Sequence, residues 1–87
     1  MTVSVQVKGD FVLSIKNTKF DLEMPDSLTV KEAVSFIFEH MKNNNDIMEL
    51  DDVIVALDGK VLAPENWELY KAAGGQIFTF YPPLSGG

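Results

Sequence analysis

The residues of this chain with the clearest chemical potential carry no reactive side chain. The last eight residues read Phe80-Tyr81-Pro82-Pro83-Leu84-Ser85-Gly86-Gly87. An apolar strand-like run passes into two prolines, a small residue and a diglycine. Gly lacks a Cβ, so a Gly-Gly segment threads a channel too narrow for any other residue. The prolines cannot join an interior ladder and hold the chain extended. From Pro82 to Gly87 the tail reaches about 20 Å when extended, at roughly 3.3–3.6 Å per residue. That length carries the Gly87 carboxylate deep into a partner's active site. A diglycine alone reads better as a frayed terminus; the whole octapeptide favours a working arm.

The other candidates are weaker. His40 is the only histidine. It stands off the main apolar face of its helix and near the C-terminal end, where the helix dipole favours a cation. With neither an orienting partner nor a nucleophile in view, it reads as structural or surface rather than catalytic. Asp46, Glu49, Asp51 and Asp52 are acidic, but their spacing does not match a calcium loop and the central Gly is missing. Asp58-Gly59 and Gly74-Gly75 are turn glycines and not phosphate cradles, because no helix N-terminus follows them. Met24, Met41 and Met48 are core filler. No metal site is expected.

Composition narrows the classes. The chain has 87 residues, enough for one small domain. Hydrophobic residues make up 46%, which fits a packed globule. There is no cysteine, hence no disulfide framework, thiolate metal site or cysteine nucleophile. A cytoplasmic location is expected on that ground. No apolar run approaches the roughly 18–20 residues that span a bilayer. Met1 leads directly into an alternating segment with no basic leader, so no signal peptide is expected. The formal net charge is −6, with seven lysines and no arginine. Nucleic acid is disfavoured, since phosphate contacts need clustered Lys and Arg. A basic protein surface is the better match.

The elements that must position the tail follow from periodicity. Thr2 to Lys8 alternates, with Val3, Val5 and Val7 on one side, as in a half-buried strand. Gly9-Asp10 breaks that pattern. Phe11 to Ile15 fits either a short helical turn or a continued strand, and Asn17-Thr18 signals a turn. Lys19 to Met24 alternates again, with Phe20, Leu22 and Met24 on one face, and Pro25-Asp26 ends it. Val30, Ala33, Val34, Ile37, Phe38 and Met41 form one apolar face at the helical period. Thr29 and Glu32 make a capping box, with Leu28 and Ala33 placed for a hydrophobic staple. Asn43-Asn44-Asn45 closes the helix.

Asp46 to Asp52 is an acidic connection. Val53 to Leu57 is a continuous apolar run, as in a strand covered on both faces or nearly so. Asp58-Gly59 is a tight-turn signal, with Lys60 to Leu62 as a short returning strand. Ala63 to Asn66 is loop. In Trp67 to Tyr70, Trp67 and Leu69 are expected to cover one end of the core. Gly74-Gly75 turns the chain into a last strand, Gln76 to Tyr81. The sum is an α+β domain: one helix packed on one face of a four- or five-stranded mixed sheet. The first and last strands are expected side by side and parallel, the intervening chain supplying the long crossover.

This order, with the tail, resembles the ubiquitin-like β-grasp proteins. It is most similar to the small sulfur-carrier subunit family of molybdopterin synthase. The likeness rests on Val3 to Asp10, Lys19 to Met24, Leu28-Thr29-Val30, Val53 to Gly59 and the aromatic-Pro-Pro-aliphatic-small-Gly-Gly tail, Phe80 to Gly87. It departs from the family pattern at two turns: Asp58-Gly59 stands where Asn-Gly is frequent, and Gln76 where an acidic residue is usual. The resemblance implies a β-grasp domain over residues 1–81 and a flexible tail over 82–87. It implies that a ubiquitin-activating-type enzyme adenylates Gly87 with ATP and magnesium, and that a thiocarboxylate then forms there. That sulfur would pass to the pterin of the molybdenum or tungsten cofactor within the large synthase subunit. The chain would be a non-catalytic carrier with no bound cofactor, its tail (Pro82, Pro83, Leu84, Ser85 and Gly86) threading into the partner. The same tail also fits a protein modifier joined to target lysines, a thiamin-pathway sulfur carrier or a plain binding module. For docking, Phe78 and Phe80 are expected inside, leaving Ile77 and Tyr81 on the outer sheet face. Tyr81 there serves either as a partner contact or as packing against the sheet edge.

Overall fold

The computed structural model describes residues 1–12, 15–43 and 53–81. Five β-strands and one α-helix follow in the order β1 (Thr2–Val12), β2 (Ile15–Glu23), α1 (Val30–Asn43), β3 (Ile54–Leu57), β4 (Lys60–Leu62) and β5 (Ile77–Tyr81), with a 3₁₀ turn at Pro64–Asn66. Among the described residues these strands form one mixed sheet in the order β2-β1-β5-β3-β4.

Val at alternate positions suits a pleated, half-buried surface. In β1 it puts Val3, Val5 and Val7 into the core. β5 lies beside β1 and parallel to it, with Val5 level with Phe78 and Val7 with Phe80. Val3, Val5, Val7, Phe78 and Phe80 thus make one continuous inner layer. The α1 residues Val30, Ala33, Val34, Ile37 and Met41 close over it, and Phe38 meets Phe80 edge-on at 5.4 Å between ring centres. This is the expected α+β arrangement, one helix on one face of a five-stranded sheet.

The start of α1 is fixed by its sequence. The Thr29 N–H donates to Glu32 Oε1 at 2.9 Å, and Thr29 Oγ1 accepts the Glu32 N–H at 3.1 Å. That is the reciprocal capping box. Two further N–H groups of the first turn, which a helix cannot satisfy internally, donate to the segment after the 3₁₀ turn: Val30 to the Tyr70 carbonyl at 2.9 Å and Lys31 to that of Trp67 at 3.1 Å. The Lys31 ammonium also meets Glu68 at 2.8 Å, which raises its pKa. Leu28 is half-buried against the core and Ala33 is fully buried.

Three local readings change. Gly9-Asp10 does not end the first strand. β1 continues to Val12, and the chain absorbs the break as register shifts between Val7 and Asp10 and between Asp10 and Val12. Irregularities of this kind interrupt pairing without ending a strand. Asn17-Thr18 is not a turn but part of β2, with Thr18 opposite Val7. Long-range pairing overrides the local turn preference. Leu69 does not cover the core: it is 74% exposed, while Trp67 alone is buried, its Nε1–H donating to the Leu62 carbonyl at 3.1 Å. Asn44, Asn45, Met48 and the acidic connection from Asp46 to Asp52 lie outside the described residues.

The Glu32 carboxyl is held below its ordinary range, first by the Thr29 N–H and then by the Thr29 hydroxyl. A carboxylate with a depressed folded pKa stabilises above its unfolded pKa and loses that stabilisation as pH falls through the folded value. Thr29→Ala is expected to cost about 1 kcal/mol in urea unfolding at neutral pH. Glu32→Gln is expected to be less stable than the parent at neutral pH, the gap closing below about pH 4; a pH series of urea midpoints measures it.

Candidate functional site

Strand alternation divides β5 between two environments. Phe78 and Phe80 are fully buried under α1, while Ile77 and Tyr81 are 39% and 38% exposed on the opposite face. This is the expected assignment. Tyr81 is the last residue of β5 and also the last described residue before the tail. Pro82, Pro83, Leu84, Ser85, Gly86 and Gly87 lie outside the described residues.

Ile77 is set at its place by the β3–β4 turn. Asp58 and Gly59 both have positive φ, 50° and 88°, the conformation of a two-residue hairpin turn matched to strand twist. Gly59 takes it without steric cost. Asp58 then closes a two-way bridge to β5. Its N–H donates to the Ile77 carbonyl at 2.8 Å, and its Oδ1 accepts the Ile77 N–H at 2.8 Å. The carboxylate therefore extends the β3–β5 ladder by one rung with a side chain. At the same end, Gly75 has φ 85° and donates its N–H to the Thr2 carbonyl at 2.8 Å, which lays β5 along β1.

The register extends the outer-face patch beyond Ile77 and Tyr81. Ile54 stands opposite Tyr81 and Ala56 opposite Thr79, while Val61 stands opposite Ala56. Val61 is 66% exposed. Thr79 and Ala56 are small and buried at the centre, with the larger Ile54, Val61, Ile77 and Tyr81 around them. The exposed Val61, Ile77 and Tyr81, with half-buried Ile54, make this side of the outer face apolar. Of these residues, the sequence of β5 by itself points to Ile77 and Tyr81. The signal for the rest lies in β3, which is apolar at every position, while among the described residues one α-helix covers one face of the sheet. Ile54 and Ala56 must therefore face outward. A two-residue Asp-Gly turn then puts Val61 beside Ala56.

The other half of this face is polar. Ser4 and Gln6 of β1 adjoin Ile77 and Thr79, and Asp21 and Lys19 of β2 stand opposite Ser4 and Gln6. Ser4 Oγ donates to Asp21 Oδ1 at 3.0 Å, and the Thr2 hydroxyl donates to Glu23. Met1's α-amino group donates to the Met24 carbonyl at 2.7 Å and lies 3.1 Å from Asp26, whose hydrogen bond holds its pKa up.

His40 packs against Phe20, ring centres 5.6 Å apart, away from the patch, in keeping with a structural role. Among the described residues no group of three or more His, Cys, Asp or Glu side chains is placed to hold a metal. No described helix is long and apolar enough to cross a membrane.

Phe80→Ala is expected to lower stability by about 3–5 kcal/mol. Tyr81→Ala, one residue on, is expected to lower it by no more than about 1 kcal/mol. Paired urea melts compare the two.

No protein-family model and no curated protein matches the chain. Solved structures do. The chain is similar to SAMP1, small archaeal modifier protein 1, from Haloferax volcanii, with a TM-score of 0.68 and 16% identity over all of both chains. It is similar to a chain of the complex of subunits 1 and 2 of molybdopterin-converting factor from Helicobacter pylori 26695, with a TM-score of 0.62 and 19% identity over all of both chains. It is also similar to the thiamine biosynthesis protein ThiS from Geobacter metallireducens, with a TM-score of 0.64 and 21% identity over 100% of this chain and 99% of that one. At these identities the likeness establishes the fold, the ubiquitin-like β-grasp.

Proposed function

We propose that this chain is a ubiquitin-like sulfur carrier that works through the carboxylate of Gly87, serving as the small subunit of a molybdopterin synthase. The observation that carries the reading is the position of β5. The strand that feeds the Pro82–Gly87 segment lies between β1 and β3, and the apolar patch runs along it from Ile77 to Tyr81, with Ile54 level with Tyr81 at the end where that segment begins. A partner that docks on the patch meets the tail at a fixed origin. The likeness to a complex of two molybdopterin-converting factor subunits supports the choice of partner.

The chemistry is acyl activation. A carboxylate is a poor acyl donor because its leaving group would be oxide. An activating enzyme of the ubiquitin-activating type, using ATP and magnesium, joins Gly87 to AMP and releases pyrophosphate. The outer sulfur of an enzyme-bound persulfide attacks the acyl carbon and AMP leaves. A second thiol cleaves the S–S bond, giving a disulfide and the Gly87 thiocarboxylate. That sulfur is then donated in the large subunit toward the pterin dithiolene. Acid–base and electrostatic work belong to the partners. This chain supplies positioning, through Pro82 and Pro83 as a stiff exit, Leu84 as a groove contact and Ser85-Gly86-Gly87 as the narrow end. It binds no cofactor of its own.

The likeness to the Haloferax modifier protein favours a second reading, in which the same activated Gly87 forms an isopeptide bond with a lysine. The ThiS likeness leaves the thiamin pathway as a third destination for the sulfur.

Incubation with the activating enzyme from the same genome, ATP, magnesium and a persulfide donor is expected to replace one oxygen of Gly87 by sulfur, about 16 Da in intact mass. A variant lacking Gly86 and Gly87 is expected to keep its fold and lose the reaction. Absence of both adenylate and thiocarboxylate with every activating enzyme of that genome rejects the carrier. Gly-Gly remnants on target lysines, with no sulfur transfer to a pterin precursor, select the modifier instead.

A further inference from the structure

The outer sheet face has an order that partner docking does not by itself require. Across the strands it divides into halves. The β5, β3 and β4 half is largely apolar, with Ile77, Tyr81, Ile54 and Val61 around the buried Thr79 and Ala56. The β1 and β2 half is polar. Along the strands the polar half is itself divided. Glu23 and Asp21 lie level with Thr2 and Ser4, whereas Lys19 lies level with Gln6 and Lys8 stands one position beyond Val7. All four charged side chains are exposed. From the level of Glu23 to Lys8 is six residues of β1, about 20 Å at roughly 3.4 Å per residue. One end of the polar half is anionic and the other cationic.

A face built this way is complementary to itself. Place a two-fold axis in the plane of the face, across the strands, between the level of Ser4 and that of Gln6. The rotation lays each strand over its own copy running the opposite way. The apolar half meets the apolar half. On β2, Asp21 meets Lys19 of the second copy and Lys19 meets its Asp21, while the Glu23 end falls over the Lys8 end. Isologous contacts of this kind close after two subunits. Two sheets stacked face to face keep their strands within about 30° of each other, which tolerates the twist.

We propose that two copies of this chain associate face to face through the outer sheet surface, in register set by Asp21 and Glu23 against Lys19 and Lys8. The carboxylates are steadied for this. Asp21 holds the Ser4 hydroxyl at 3.0 Å; Glu23 holds that of Thr2 and lies 3.7 Å from the Met1 ammonium, so Asp21 keeps the freer acceptor positions for a second copy's ammonium and Glu23 adds to them. The contact is small. Five strands spaced about 4.8 Å apart over about 20 Å give a face of roughly 400–500 Å², so the pair buries on the order of 1,000 Å². That is below the roughly 1,200–2,000 Å² of stable specific interfaces, in the range of weak, transient ones. The formal charge of −6 on each chain opposes it further. The dimer is therefore weak and exchanging. It covers Ile77 and Tyr81, so it competes with any partner that uses the same patch.

Charge exchange tests it, using the full chain at up to about 1 mM and about 150 mM salt, with sedimentation velocity and amide chemical shifts as readouts. Asp21→Lys with Glu23→Lys makes the polar half wholly cationic, and Lys8→Glu with Lys19→Glu makes it wholly anionic. Each double variant is expected to weaken self-association by about tenfold or more. An equimolar mixture of the two is expected to restore it, as is the fourfold variant that carries both changes. The first double variant separates pairing from general repulsion. It moves the formal net charge four units, from −6 to −2, which on net charge alone would strengthen association. Val61→Asp is expected to weaken the parent and the fourfold variant alike. A chain monomeric at 1 mM, a double variant that dimerises as well as the parent, or a mixture that stays monomeric overturns the dimer. The chain lacking Gly86 and Gly87 is expected to dimerise unchanged, so failure of the carrier chemistry and failure of the dimer are read separately.

Discussion

The parallel pairing of β1 with β5 is the constraint on which the rest depends. Parallel neighbours cannot be joined by a tight turn, and here the crossover between them is nearly the whole chain, from β2 to the start of β5. The register of Val5 with Phe78 and Val7 with Phe80 gives the inner layer its continuity, because five large side chains then present one surface to α1. The same register decides the outer face, since the residues between them, Gln6 and Thr79, point the other way together. A shift of one residue in β5 would turn Ile77, Thr79 and Tyr81 toward α1 and put Phe78 and Phe80 on the outer face. The loss of two buried phenylalanines makes that slip strongly unfavourable. Core packing and the composition of the outer patch are therefore set by a single choice of register.

Two polar devices brace the elements around that pair of strands, each answering a backbone group that the regular elements leave open. At the start of β5, the Asp58 carboxylate accepts the Ile77 N–H that lies beyond the β3 ladder. At the start of α1, the Trp67 and Tyr70 carbonyls accept the N–H groups of Lys31 and Val30, and the capping box accounts for those of Thr29 and Glu32. Val30 is fully buried, and a buried backbone donor left without a partner would cost about 1–3 kcal/mol. The segment from Trp67 to Ala72 has little regular structure of its own, yet it ties the helix to the sheet. Trp67 is its anchor, with a buried ring and an N–H satisfied by Leu62.

Much of this was legible in the sequence. The helix was readable to its cap because apolar spacing and the Thr29-Glu32 pair agree, and α1 begins where both place it. The alternation of Val3, Val5 and Val7, the Asp58-Gly59 hairpin and the central last strand were readable for the same reason: local preference and long-range packing point one way. The misses fall where they disagree. Asn17-Thr18 favours a turn locally, but pairing with Val7 and its neighbours holds it in β2. Gly9-Asp10 weakens a strand locally, but β1 passes through with shifts of register. Leu69 was assigned to the core on its apolar character, which a segment without periodicity cannot orient. At the candidate site Ile77 and Tyr81 were readable from β5 alone. Ile54, Ala56 and Val61 needed the order of strands, and the polarity of the β2 edge needed the register of β1 with β2.

The outer face must satisfy two demands that conflict. An apolar patch useful to a partner is also exposed to indiscriminate contact, and β2 and β4 are edge strands beside it. Charges at Lys19, Asp21 and Glu23 protect the β2 edge against uncontrolled pairing, the usual device of natural sheets. Arranged at random they would do no more than that. Sorted by sign along the strand, they give the patch one preferred self-contact that closes at two copies and cannot propagate. A weak closed dimer has little effect on a partner of higher affinity. At a dissociation constant on the order of 10⁻⁴ M it occupies few chains at micromolar concentration, and a partner binding at about 10⁻⁶ M, some 2.7 kcal/mol tighter, displaces it. The same residues that exclude open-ended association would then keep Ile77 and Tyr81 covered when the chain is concentrated and no partner is present.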